Sequence, residues 1–540
     1  MKVALLFPVL LFACAAPAVA QAPKATAPDL ILRNGHIYTG DPAKPWVEAI
    51  SIQGDKILAV GTDAAIAATA NSQTRVIDLG GRMATPGIND THDHVGGTHP
   101  GISTATKTPP MAGQTIVEVA DAVRTAAAQT PAGTWIYAQV GPATIRNPKV
   151  ARAAIDEAGA GHPVLLDSAW GHGVILNTEG LAALGLTEAV KDPPGGHYDR
   201  DADGHLTGLL QEYAGGDVKM RLSNQAGVQA AIPEFRAYAE RRLEQGVTTV
   251  QAMASNARLG DLEQTFLQAP TPLRIRLMRW PDGTGDPRVG DPLTHGTEVL
   301  SPLVRVAGVK YVLDGTPIEE LAYQTKDYAD RPGWRGRPNF SVDFLRTVLQ
   351  TALDGKDQLM MHVVGDAMTD QVLDQMEALA PTERWRPLRV RFEHGDGLNT
   401  PERMARAKKL GIVVAQPRPG RPFRALLDAG IPVAYGSDGG MAPFFMFAVM
   451  TAPGDPKSIS RMEALAILTS GAAYAEFEER RKGMLAPGML ADIAVLSQDI
   501  MTAAPADLPR TASLLTIVGG KLAFTSPAFA AATVGKSTAR

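Results

Sequence analysis

His92 and His94 stand two apart in Ile88-Asn89-Asp90-Thr91-His92-Asp93-His94, directly after Pro86-Gly87. Side chains alternate along an extended strand, so residues spaced i, i+2 face the same way. Two imidazoles at a strand end can grip one metal ion, and the rest of the chain must then supply the other ligands. With 11 histidines in 540 residues a chance pair is easy to find. Hydrogen-bonded loop histidines are the plainer alternative. Three later segments bear on the choice. Leu359 to Asp366 is an apolar run carrying His362, then Gly365-Asp366; Leu388 to Gly395 ends in Glu393-His394; Val433 to Gly439 ends in Ser437-Asp438.

Each segment is a short apolar strand followed by a turn and a helical pattern, which suggests βα units and a parallel sheet. Metal-type residues at the C-terminal ends of parallel strands are where a (β/α)8 barrel puts its chemistry. The ordered set resembles the amidohydrolase superfamily and, within it, amidohydrolase family 3, the group of N-substituted formamide deformylase-like metal-dependent hydrolases. The pieces that carry the resemblance are Pro86-Gly87 to His94, Gly308-Val309-Lys310 with Asp314-Gly315, His362 with Gly365-Asp366, Glu393-His394, Gln416-Pro417 and Gly436-Ser437-Asp438. A closing segment from Lys482-Gly483-Met484 through Pro487-Gly488 to Ala491-Asp492 completes it.

The resemblance implies an α/β chain: a (β/α)8 TIM barrel over 83–482, with an inserted subdomain at 100–216. It also implies a small composite β-domain from 29–82 and 483–526, which periodicity alone would not join. It places His92, His94 and Asp438 on one metal and His362 and His394 on another, with Lys310 bridging both. Zinc is the expected cofactor, at two per chain; manganese, iron and cobalt are the alternatives.

Hydrolysing an amide at neutral pH needs a strong nucleophile, a polarised carbonyl and a proton for the leaving nitrogen. Zinc lowers the pKa of bound water to about 7 and so gives hydroxide without strong base. A lysine ammonium cannot ligate a cation, but carboxylated by carbon dioxide it becomes an anionic two-oxygen bridge. That reaction needs the neutral amine, which desolvation and nearby cations favour. A Lys310 salt-bridged at the barrel mouth, beside a single metal, is the alternative. Asp438 is expected to ligate the first metal and to shuttle a proton to the leaving group; its plainer role is capping the next helix. His172, in Trp170-Gly171-His172-Gly173 ahead of Asn177, is a candidate oxyanion donor, with a structural hydrogen bond as the rival role.

Other polar residues carry weaker expectations. Glu393 is expected to support a ligand rather than to be one. Asp366 is expected to orient a turn or cap a helix, and Asp93 to be structural. His99, His197, His205 and His295 lie in loops and are expected to be solvated; His36 and His162 have no functional argument. Arg418, Arg421 and Arg424 sit near strand seven, either as a solvated basic turn or as an attractor for a substrate carboxylate.

Composition fits an ordinary globular protein: 45% hydrophobic and 20% charged residues, and a formal net charge of -4. No basic run stands out, which argues against nucleic acid as a partner. Met1-Lys2, an apolar run to Val19 and Ala18-Val19-Ala20 read as a cleaved signal peptide over 1–20, followed by a linker at 21–28. The only cysteine, Cys14, falls inside it, so the mature chain would hold no thiol and no disulfide. A lipoprotein signal is the rival, and Phe12 fits it poorly. The protein is thus expected to be periplasmic or secreted, without stable membrane insertion, and with a tail from Pro527 that is poorly ordered. A small molecule is the expected partner; a homo-oligomer is left open. The expected function is hydrolysis of a C–N bond. Rival readings are a cyclic amide, ester or lactone hydrolase on the same site, or an exported binding protein on a degenerate scaffold.

Overall fold

A computed structural model describes residues 27–281, 292–415, 420 and 423–531. The expected signal peptide, Gln416-Pro417, Arg418 and Arg421 lie outside these residues.

Eight parallel strands form the central sheet: β1 (Ile88–Asp93), β2 (Val247–Met253), β3 (Arg274–Arg279), β4 (Val304–Val312), β5 (Leu359–Val363), β6 (Arg391–His394), β7 (Val413–Ala415) and β8 (Val433–Ala434). They are hydrogen-bonded in chain order from β1 to β8, making a nearly closed barrel. Among the described residues no strand ladder joins β8 to β1. The seam is closed by the chain just beyond β8: Thr91 N–H donates to the Tyr435 carbonyl at 2.9 Å, and Asp438 N–H to the His92 carbonyl at 2.8 Å.

The strands are buried because helices such as Asp366–Leu379 and Pro401–Leu410 cover the outside. Apolar layers usually fill such a barrel. Here Gln251, Arg276, Lys310, Arg391 and Glu393 are buried in it. Arg391 makes that tolerable by donating to Gln251 at 2.5 Å, Glu393 at 2.8 Å and the Thr91 carbonyl at 2.7 Å.

Between β1 and β2 the chain builds a six-stranded mixed sheet, from Ile102–Thr104 at one edge to Gly196–Arg200 at the other. Two further sheets lie outside the barrel. One has four strands, all from 30–78; the other pairs strands from both ends of the chain, with Ala84 opposite Val495 and Leu515 opposite Thr525. Met83–Pro86 in that sheet runs straight into β1 through Gly87, where a Cβ would lie 2.2 Å from Thr248 Oγ1. Only glycine permits that approach.

The expected disorder from Pro527 does not begin there. Residues 527–531 are helical, and Phe529 is buried beneath the Arg82 guanidinium. No helix among the described residues is long and apolar enough to cross a membrane.

Candidate metal centre

The C-terminal ends of β1, β4, β5 and β6 and the turn after β8 converge on one cavity of about 660 Å³. His92, His94, Lys310, His362, His394 and Asp438 all line it. The first pair is not held by simple alternation. The β1–β2 register shifts between Asp90 and Asp93, and His94 lies just past the strand end. Both rings are fixed from behind instead. His92 Nδ1 lies 2.5 Å from Glu393 Oε2, and His94 Nδ1 2.7 Å from Ser255 Oγ. Each Nε2 is therefore turned toward Asp438, whose Oδ1 is 3.3 Å from His92 and 3.5 Å from His94.

The second group is adjacent. The His394 ring lies 5.1 Å from that of His92 and 4.6 Å from that of His362. The β5–β6 register sets His362 opposite Glu393 and Val363 opposite His394. His394 and Asp438 adopt φ of 69° and 50°. Such left-handed backbone in non-glycine residues costs about 1–3 kcal/mol and clusters at functional sites.

The electrostatics suit a divalent metal. Burial holds His94 down to about 3 and pushes His362 well below the ordinary imidazole range, so both are neutral donors at neutral pH. Burial would raise Asp438, but His92, His394 and His94 outweigh it and keep the carboxylate ionised. For His92, burial and Lys310 act downward, while Asp438 and Glu393 act upward and prevail. A carboxylate behind an imidazole is the arrangement that orients metal-binding histidines. Burial draws Lys310 down to about 8, and its Nζ sits 3.5 Å from Met253 Sδ. Neutral imidazoles with one carboxylate are a zinc-type donor set.

The inserted sheet supplies the opposite lining. His172 Nδ1 is 3.0 and 3.1 Å from the two oxygens of Glu212. Its ring stands 4.8 Å from that of His362. Burial would lower His172, but Glu212 and Glu319 raise it to about 9. Glu212 itself has φ of 53°, and Glu319 takes the Trp170 indole N–H at 2.6 Å. Neither glutamate was singled out from sequence: each belongs to a segment without metal-type spacing, and only the fold brings it to His172.

His99 falls elsewhere than expected, while the aspartates Asp93 and Asp366 fall where expected. His99 is not solvated; it stacks on Tyr137 at 3.5 Å and lines the cavity. Arg424 is engaged by Glu463 at 2.9 Å and by Asp428, which removes it as an attractor for substrate. Asp93 binds Arg242 and Tyr238, and Asp366 accepts from Thr325 N–H at 2.7 Å; both are structural.

A family model described as "Amidohydrolase family" matches residues 75–524. The chain is 27% identical to Protein LONG AFTER FAR-RED 3 of Arabidopsis thaliana, over 92% of each chain. It is 24% identical to N-substituted formamide deformylase of Arthrobacter pascens, over 92% of this chain and 98% of that one. The fold matches a solved metal-dependent hydrolase from Pyrococcus horikoshii OT3, with a TM-score of 0.66 and 18% identity, over 88% of this chain and 99% of that chain. The match over most of its length shows that this chain belongs to the amidohydrolase family and is an enzyme of the hydrolase class.

Proposed function

We propose that the protein hydrolyses a carbon–nitrogen bond of a small amide-type molecule at a binuclear zinc centre. His92, His94 and Asp438 would hold one ion, His362 and His394 the other, and Lys310, carboxylated by carbon dioxide, would bridge them. The observation that carries this reading is the convergence of His92 Nε2, His94 Nε2 and Asp438 Oδ1, which lie within 4.8 Å of one another. When bound there, zinc supplies an activated water and polarises the substrate carbonyl.

The chain's own groups do the rest. Asp438, ionised and 32% exposed to the cavity, accepts a proton from the nucleophile and delivers it to the departing nitrogen. His172, with Nδ1 engaged by Glu212, presents Nε2–H to the carbonyl oxygen as negative charge builds there. Burial favours the neutral amine of Lys310 that carbon dioxide requires. Deformylase activity is the property of one relative; here a cavity of about 660 Å³ has room for an amide with a longer body. Export by the leader at 1–20 belongs to the same proposal.

The test is turnover of a panel of linear amides, cyclic amides and esters by wild type and Asp438→Asn. Loss of turnover by about 100-fold or more in a folded variant is expected. Unchanged turnover in that variant would remove Asp438 from the mechanism.

A further inference from the structure

The wall of the cavity built by the inserted region carries a charge pair that the hydrolytic steps do not use. Asp167 stands on the strand Val164–Ser168, and Lys219 on the helix Tyr213–Ala226. Both line the cavity. Lys219 Nζ is 2.7 Å from Asp167 Oδ1, with side chains 20% and 31% exposed. Asp167 Oδ1 is buried against the ammonium and has no further hydrogen-bonding partner among the described residues. With one N–H turned to Asp167, the ammonium keeps two further donors for a ligand in the cavity.

A half-exposed pair of this kind contributes at most about 1 kcal/mol to stability. Its place in the wall gives it a better use. It sets a strong donor beside a strong acceptor, so its complement is a ligand group with an acceptor beside a donor. Next to it, Gln139 lies opposite Asp167 in the sheet register and also lines the cavity, adding a neutral donor and acceptor. A lone carboxylate would gain Lys219 but be repelled by Asp167; a lone ammonium would meet the converse. Trp170 and Trp280 line the space in which an apolar body could lie.

We propose that Lys219 and Asp167 form a substrate subsite for a zwitterionic group, an ammonium and a carboxylate on one carbon, joined through an apolar chain to the bond that is cleaved. The assignment rests on the hydrolase reading only for the identity of the cavity as the substrate site.

The test is calorimetric titration of the full-length protein with L-norleucine, hexanoate and pentylamine, none of which offers an amide to cleave. Norleucine should bind about ten-fold more tightly than either single-charge probe. That preference should vanish in both Lys219→Met and Asp167→Asn, which should keep the wild-type melting temperature. Equal binding of the three probes, no binding of norleucine, or a preference surviving in both variants would overturn the subsite. Loss in Lys219→Met alone would also overturn the paired reading and leave a simple anion contact. Because the probes are not hydrolysed, failure of the amide panel leaves this result untouched.

Discussion

Asp90 Oδ1, on the first barrel strand, accepts the Ser437 amide proton from beyond the eighth at 2.9 Å. That bond joins the two ends of the barrel beside the candidate metal ligands His92 and Asp438. Arg242 locks it, donating to Asp90 at 2.9 Å and also to Asp93 and to Ser437 Oγ.

Arg242→Met leaves two buried carboxylates without their cation. Breaking a buried pair in this way costs about 3–5 kcal/mol. Urea unfolding should show a loss of that order, and chelator competition should show weaker zinc retention in the protein that remains folded. A variant as stable as wild type would mean that the seam does not depend on this clamp.

Glu393 orients His92 from behind, and its carboxylate is held well below its ordinary range by Arg391 and His92 against the effect of burial. Glu393→Gln keeps the shape and removes the charge. Zinc affinity should fall about 10–100-fold, read by competition with a chromophoric chelator. Unchanged affinity would place Glu393 outside the metal site.

Gly87→Ala puts a Cβ against the buried side chain of Thr248, 2.2 Å from Oγ1 and 2.7 Å from Cβ, so one of the two must shift. The expected loss is about 1–3 kcal/mol of stability. Adding Thr248→Gly should recover much of it, and thermal melts of the single and double variants check the coupling.

Glu476 sits under the barrel with Lys482 at 2.7 Å and Arg305 also in contact. Burial would raise it, but Lys482, Arg305 and Arg276 outweigh that and bring it to about 2. A depressed carboxyl pKa contributes stability that is present above the unfolded value of about 4.3 and lost as pH falls toward the folded one. Burial moves Lys482 below its ordinary value, but it stays charged in acid, so the acid limb belongs to Glu476. Unfolding free energy should decline between pH 4.5 and 2 by about a kcal/mol or more, and the decline should flatten in Glu476→Gln. An equal slope in both proteins would assign it to other carboxylates.

The sequence exposed the parts of this molecule that are local. His362, His394 and Asp438 each lie at the end of or follow a short apolar strand, and His92 stands in the polar strand after Pro86-Gly87, so their positions at the barrel mouth could be read from pattern and resemblance. What could not be read is what depends on pairing across the fold. Arg242 lies in a helix of ordinary composition, and its role appears only when Asp90 and Ser437 meet at the seam. Arg391 in a strand suggests an exposed face, yet it is buried because Gln251, Glu393 and the Thr91 carbonyl satisfy it. Glu212 and Glu319 have no spacing signal, being brought to His172 by the inserted sheet and by the β4–β5 connection. Phe529 looked like part of a loose tail because its burial partner, Arg82, is far away in sequence.

The central claim is a binuclear metal centre bridged by a modified Lys310. Its most direct test is zinc per chain by elemental analysis of protein purified without added metal or chelator, beside the same measurement on Lys310→Met. The account predicts about two zinc ions per wild-type chain and about one or fewer in the variant. One ion in both proteins would contradict the bridge, and none in wild type, even after zinc is supplied, would contradict the metal centre itself.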